Sequence, residues 1–354
     1  MLRTLFLLLL LFITAATCGG YWIYKYHLTT PLPQYEDLRY TVPNNATLSQ
    51  VAKDLMDKEL LNYPVALAWF TLARYQKKAH LIKAGEYVIP KGTTPQQFLE
   101  IIISGKGVQH SLTIPEGWNF RKMMMAIRNH KHLVPTLNNL DNNAIMAKLG
   151  WPNQHPEGRF YPDTYFFPTG TTDVQFLRRA YKMMDRELKM VWKKRHDNLP
   201  LKTPLEALIL ASIVEKETAL AEERPLIAGV FIRRLKINMR LQTDPTVIYA
   251  LGEKYDGNIR KRDLRVRSPY NTYVNRGLPP TPIAMPGRAA LYAAVNPADG
   301  KALFFVAKGN DGSHYFSATN KEHECAVIEY QLKGKSPRYK KQCRKYPSCA
   351  ACRR

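Results

Sequence analysis

The stretch Pro204–Ala221, PLEALILASIVEKETALA, constrains this chain more than any other. A proline opens it, which suits the first turn of a helix, where its missing N–H would be unpaired anyway. Ala207 to Val214 then run apolar or small almost without a break, and three charges follow at Glu215, Lys216 and Glu217. A helix this apolar belongs in a core, with its charged end at an edge. Helical spacing sets Glu217 on the same stripe as Leu210, Ile213 and Val214. Glu215 lies roughly 200° round the helix and shares its face with Leu208, Ala211 and Ser212. A carboxyl at the rim of an apolar wall is disfavoured as an anion and can keep a proton near neutral pH, the property of a general acid. A core helix whose end simply reaches solvent has the same pattern, so this stretch alone leaves both readings open.

The 354 residues leave room for two domains beyond an anchor, and the 45% apolar fraction supports a sizeable core. The net charge of +23 implies a partner of negative sign: nucleic acid, anionic lipid or an acidic wall polymer. No cysteine lies between Gly19 and Glu324, so the main body is not a disulfide scaffold.

Residues 4–24 carry no charge and are rich in leucine, with Tyr21, Trp22 and Tyr24 at one end. This predicts a transmembrane helix over 5–24 with a short cytoplasmic leader at 1–4 and an aromatic belt at the far interface. A cleaved signal peptide lacks a clean A-x-A site here. A lipidated Cys18 is a third reading, though Thr17 suits it poorly. A tether at 25–36 precedes a small α+β unit over 37–110. There, a strand at Leu38–Val42 and a helix at Leu48–Lys58 capped by Thr47 are expected, then a helix at Pro64–Gln76, a turn into a strand at Lys83–Ile89 and a helix at Thr94–Ser104. This unit reads as a spacer or a glycan binder.

The main domain, 111–330, opens on a strand at Ser111–Pro115 and a methionine-rich helix at Phe120–Asn129, where Met123, Met124 and Met125 read as core filler. The aromatic stretch Pro156–Phe167 suits either a sugar-gripping surface or an ordinary core. A basic amphipathic helix is expected over Val174–Arg195. Asp244-Pro245-Thr246 is a helix start. Gln242, Asn271 and Thr272 suit hydroxyl recognition, and turn roles explain them equally well.

Several separate blocks, taken in order, carry a family resemblance. They are Thr113–Gly117, Glu157-Gly158 with Pro162–Tyr165, Ala211–Thr218, Arg240–Tyr249, Ser268–Tyr273, Gly277–Pro280, Asp311-Gly312 with His314, Phe316-Ser317 and Glu322-His323. Over about residues 30–330 the chain resembles the endolytic murein transglycosylases of the YceG/MltG family. The resemblance implies an α+β fold: a single N-terminal transmembrane helix, a small LysM-like α+β domain and a YceG-type α+β catalytic domain. It implies a single-pass inner-membrane protein with its body on the periplasmic side. The expected activity is cleavage within nascent peptidoglycan strands to leave 1,6-anhydro-N-acetylmuramyl ends. The family's catalytic glutamate falls on Glu217. Substrate-binding candidates are Glu215, Gln242, Asp244, Asn271 and Tyr273. No cofactor or metal is implied; peptidoglycan glycan strands and membrane peptidoglycan synthases are the expected partners. Thr281 and Met285 depart from the family's usual glycine and asparagine.

The basic tail, 331–354, falls outside the resemblance. Its Cys343, Cys349 and Cys352, with Cys325 upstream, favour disulfides in an oxidising exterior over free thiols, and over zinc, which would want a second C-x-x-C pair. A non-catalytic wall-binding scaffold is the alternative of another class. A nucleic-acid binder fits the charge but not the apolar N-terminal run, and no nucleic-acid motif is recognisable.

Overall fold

A computed structural model describes residues 2–309, 311–332 and 337–353, with the side chains of residues 2–5, 8, 23 and 25 outside that set. Met1 of the expected leader and residues 333–336 and 354 of the basic tail therefore lie outside the described residues. The elements in chain order are α1 (Leu2–Ile23), β1 (Leu38–Val42), α2 (Leu48–Asp57), α3 (Tyr63–Tyr75), β2 (Gly85–Ile89), α4 (Pro95–Ser104) and β3 (Gln109–Thr113). Then come α5 (Phe120–Arg128), α6 (Asn142–Leu149), β4 (Thr164–Pro168), α7 (Asp173–Lys193), α8 (Pro204–Glu217), α9 (Arg224–Lys236) and α10 (Asp244–Leu251). The chain finishes with α11 (Arg288–Val295), β5 (Phe304–Ala307), β6 (His314–Ser317), α12 (Asn320–Tyr330) and α13 (Pro337–Lys345). The mixed α+β class expected from the sequence is what forms.

The chain divides into two compact units. The first comprises Met1–Ser111 with Lys131–Val134 and Phe166–Thr172. In it β1 and β2 pair antiparallel, with Leu38 opposite Ile89 and Val42 opposite Gly85. Thr47 closes a capping box with Gln50 at the start of α2, and Thr94 does the same with Gln97 at α4, each satisfying backbone donors that a helix start leaves unpaired. Trp69, Tyr87, Phe98 and Ile102 fill the core, and the Trp69 indole donates to the Pro95 carbonyl at 2.8 Å.

α1 covers the expected span and passes into a π-helical turn, Tyr24–Leu28. Among the described residues no helix is long and apolar enough to cross a membrane; the leucine-rich run of α1 includes residues whose side chains are outside that set.

The second unit comprises Leu112–His130, Pro135–Tyr165 and Asp173–Arg354. Its centre is α8. Thr203 caps that helix by accepting from the Glu206 N–H, and Pro204 takes the first turn. Every residue from Ala207 to Val214 is buried. α7, α9, α10 and α11 all pack against it, which explains why its apolar surface runs all round rather than along one stripe. β5 and β6 pair antiparallel, Phe304 opposite Ser317. The aromatic stretch turns out to be core: Phe160 and Tyr165 are buried in this unit and Phe167 in the first, and the alternation along β4 leaves Phe166 exposed. Met123 and Met124 fill core as expected, whereas Met125 is exposed. β4, α6, α11, α12 and α13 were not expected from the sequence. The tail cysteines pair as Cys325–Cys349 and Cys343–Cys352 around a small cluster with Ile328 and Leu332. Cys18 is free and exposed.

Candidate active site

α8 ends at Glu217, and Thr218 leaves it with extended backbone. The carboxyl of Glu217 thus sits at the negative end of the helix, where a second negative charge is disfavoured. It is half-buried. Burial is the largest influence on its proton affinity, and with the Asp244 charge it outweighs the opposing Thr243 hydrogen bond and Arg234 charge, raising its pKa to about 7. The Thr243 hydroxyl donates to Oε1. Oε2 takes no hydrogen bond among the described residues, which leaves one carboxyl oxygen free to meet a substrate.

The residues facing Glu217 are placed by a turn between α9 and α10. Arg234, buried on α9, donates to the Leu241 carbonyl at 2.5 Å and the Leu303 carbonyl at 2.6 Å, so one guanidinium holds the turn and the start of the β5–β6 hairpin. Gln242 takes a positive φ of 49°. Thr243 and Thr246 then lock onto the neighbouring loop. The Thr243 N–H donates to the Thr272 hydroxyl at 3.1 Å, and the hydroxyls of Thr246 and Thr272 bond at 2.8 Å. Asp244 follows at the first turn of α10, and the Tyr273 hydroxyl donates to its Oδ1 at 2.6 Å. Burial first, then this bond to a carboxylate, keep the Tyr273 phenol protonated.

Glu217, Asp244 and Tyr273 therefore come together. Gln242 is exposed beside them. Asn271 is fully buried and holds its own loop: its amide donates to the carbonyls of Leu264 and Val266, and its Oδ1 accepts from the Tyr273 N–H. Glu215 points elsewhere. Its Oε2 accepts from the Gly287 N–H at 2.9 Å, and Oε1 lies 3.5 Å from Arg224. Burial raises its pKa, and the Glu116 charge adds to that. The two departures from the family pattern are both accommodated. The Thr281 hydroxyl bonds that of Tyr270 at 2.8 Å, and buried Met285 pairs its backbone with Gly117 and Trp118.

Sequence reasoning missed three participants. Thr243, which bonds Glu217, stood between two named candidates. Arg234, in the last turn of α9, carries no local sign of a role in the site. Glu157 is buried, accepts from the Phe120 N–H at 2.8 Å and the Tyr249 hydroxyl at 3.0 Å, and has its pKa raised to about 7 by burial. Gly158 beside it has φ 74°, and a Cβ there would meet Pro282 Cβ at 2.5 Å, so glycine is required. Glu157 lines a cleft of about 600 Å³ with Lys122, Arg128, Lys216, Pro245 and Tyr249 among others. Glu217 does not line it; its neighbour Lys216 does.

Residues 40–329 match the YceG-like family. The chain belongs to that family. It is 30% identical over 332 residues to the endolytic murein transglycosylase of Bacillus subtilis, covering 88% of this chain and 90% of that protein. It is 28% identical over 363 residues to the endolytic murein transglycosylase of Streptococcus pneumoniae, covering 91% of this chain but 64% of the longer relative. The crystal structure of a yceG-like protein from Listeria monocytogenes superposes with a TM-score of 0.51 at 30% identity, over 82% of this chain and 99% of that one.

Proposed function

We propose that this YceG-like protein is a murein lytic transglycosylase that cuts the bond between N-acetylmuramic acid and N-acetylglucosamine inside nascent strands, using Glu217 as its one acid and base. One observation carries the reading. Glu217 is a carboxyl with a pKa raised to about 7, one oxygen held by Thr243 and the other open. The names of the relatives support the substrate class.

In the first half, the Glu217 Oε2 proton passes to the glycosidic oxygen as the bond to the anomeric carbon breaks through an oxocarbenium-like state. In the second half, the sugar's own C6 hydroxyl attacks that carbon, and its proton returns to the Glu217 carboxylate. No water is consumed, the product ends as 1,6-anhydromuramic acid, and elongation of that strand stops. Asp244, fixed by the Tyr273 hydroxyl, faces the positive charge developing on the ring and stabilises it.

α1 is the membrane anchor in this reading, with the body on the periplasmic side. Leu7, Leu11 and Phe12 are exposed on it, and the hydroxyls of Thr14 and Thr17 donate back to the carbonyls of Leu10 and Ile13 at 2.9 Å each, as polar groups in a lipid-facing helix need to. The first unit then serves as a LysM-like module, within reach of peptidoglycan synthases that supply new strands.

Mass spectrometry of uncrosslinked strands incubated with the full chain in detergent tests the proposal. Internal fragments with anhydro ends from wild type, absent with Glu217→Gln, are expected. Reducing ends would instead make the protein a hydrolase. Binding without cleavage by folded wild type would make it a scaffold.

A further inference from the structure

The cleft of about 600 Å³ has a charge pattern that an uncharged sugar chain does not call for. Lys122 and Arg128 reach it from α5, Arg121 from the same helix, and Lys216 from the end of α8. Glu157 is the one acidic residue that lines it. Both oxygens of Glu157 are already engaged by Phe120 and Tyr249, and its raised pKa leaves it part-protonated at neutral pH, so it cancels little of the positive charge. Arg121 is paired with Glu253. Lys122, Arg128 and Lys216 have no ion pair among the described residues. The cleft is thus a concave, cationic site next to the general acid in sequence, and its volume is that of a small-ligand pocket.

We infer that this cleft is a subsite for the acidic peptide that murein carries on the lactyl ether of its muramyl residues, and that Lys122, Arg128 and Lys216 select peptide-bearing over denuded strands. The inference rests on the transglycosylase reading for the identity of the polymer. Within that polymer the carboxylates are concentrated on the peptide, while the sugars offer hydroxyls and acetamido groups. Lys216 precedes Glu217 in the last turn of α8, so the cleft and the acid share one helix end. Holding one side group of the ring converts part of the positioning cost into binding already gained.

Two readouts on the full chain in detergent test this, one of them independent of cleavage. The first is calorimetric binding of an N-acetylated stem tetrapeptide containing meso-diaminopimelate, which carries more carboxylates than amines. The second is the ratio of cleavage rates on peptide-bearing strands and on amidase-treated strands, which keep only the lactyl carboxylate. The variants are Lys122→Gln with Arg128→Gln, the charge-conserving Lys122→Arg with Arg128→Lys, and, as a control away from the cleft, Lys182→Gln with Arg186→Gln on α7.

Wild type is expected to bind the peptide, more weakly as salt rises. The glutamine pair should weaken binding and lower the rate ratio by about tenfold, the loss of two charge contacts. The charge-conserving pair should restore most of both, and the α7 control should match wild type. The inference is overturned if wild type does not bind the peptide, or if the glutamine pair leaves the rate ratio unchanged. Anhydro ends from denuded strands without peptide binding would leave the transglycosylase reading standing and remove this subsite. Peptide binding lost in the glutamine pair, with neither strand cleaved by wild type, would keep the subsite and remove the lyase.

Discussion

Glu217 and Glu157 both hold their protons above the ordinary carboxyl range, each raised to about 7 with burial as the largest cause. They differ in what touches them. Both oxygens of Glu157 accept hydrogen bonds and its side chain is sealed in. Glu217 has one oxygen bonded, by Thr243, and the other open. A raised proton affinity therefore does not by itself mark a catalytic carboxyl. Hydrogen-bond saturation separates the one that ties elements together from the one that can reach a substrate. Glu157 joins the start of α5 to α10 through Phe120 and Tyr249; Glu217 ends α8 half-buried, with one oxygen unbonded.

The largest effect that would sharpen this contrast is on rate. Glu217→Gln should lower turnover by about 10²–10⁴-fold with the fold unchanged, as for loss of a general acid–base group; circular dichroism alongside kinetics checks it. Glu157→Ala should act on stability instead. It leaves the Phe120 N–H unpaired in the core, and thermal unfolding at pH 6 should show a loss of about 2 kcal/mol. Equal losses of rate and stability in both variants would erase the distinction.

A smaller effect follows from linkage. The folded-state pKa of Glu217 lies above its unfolded value of 4.5, so the native state binds the extra proton between these values and stability falls as pH rises from about 4.5 through about 7. Glu217→Gln removes that penalty. It should be more stable than wild type by about 1–2 kcal/mol at pH 8 and no more stable at pH 4, measured by denaturant unfolding. Thr243→Val removes the bond that lowers the Glu217 pKa, so its pH–rate profile should move to higher pH by under about one unit. The smallest effect belongs to the tail. Replacing Cys343 and Cys352 with serine should loosen residues around α13 in hydrogen exchange and leave turnover unchanged, because that cluster lies outside the main core.

Much of this was legible in the sequence wherever one local rule decided the outcome. Thr47, Pro204 and Asp244 announce helix starts through capping chemistry and proline geometry, and all three helices begin there. Helical spacing puts Glu217 on an apolar stripe, and the family resemblance was needed to single it out. What was hidden depends on contacts between distant segments. Glu157 and Tyr249 meet across 92 residues, and Thr243 reaches Glu217 across 26; neither pairing has a local signature. Asn271 shows the converse. Its polarity suggests recognition, yet its amide is spent on the carbonyls of Leu264 and Val266, and only the loop's path reveals that. α11 escaped because Arg288–Val295 is short, mostly alanine-sized and follows a proline-rich loop, with packing against α8 supplying the stability that propensity does not advertise.

In this mechanism one carboxyl, that of Glu217, carries a proton near neutral pH and serves both halves of the reaction. The pH dependence of kcat/KM for formation of anhydro ends reads the free enzyme's essential groups directly. A descending limb near pH 7, reduced to the residual floor in Glu217→Gln, is predicted. A rate that keeps rising above pH 7 would show Glu217 required in its charged form, as the general base of a hydrolysis. A flat profile through neutrality would remove the Glu217 proton from the rate, and either result would contradict the account.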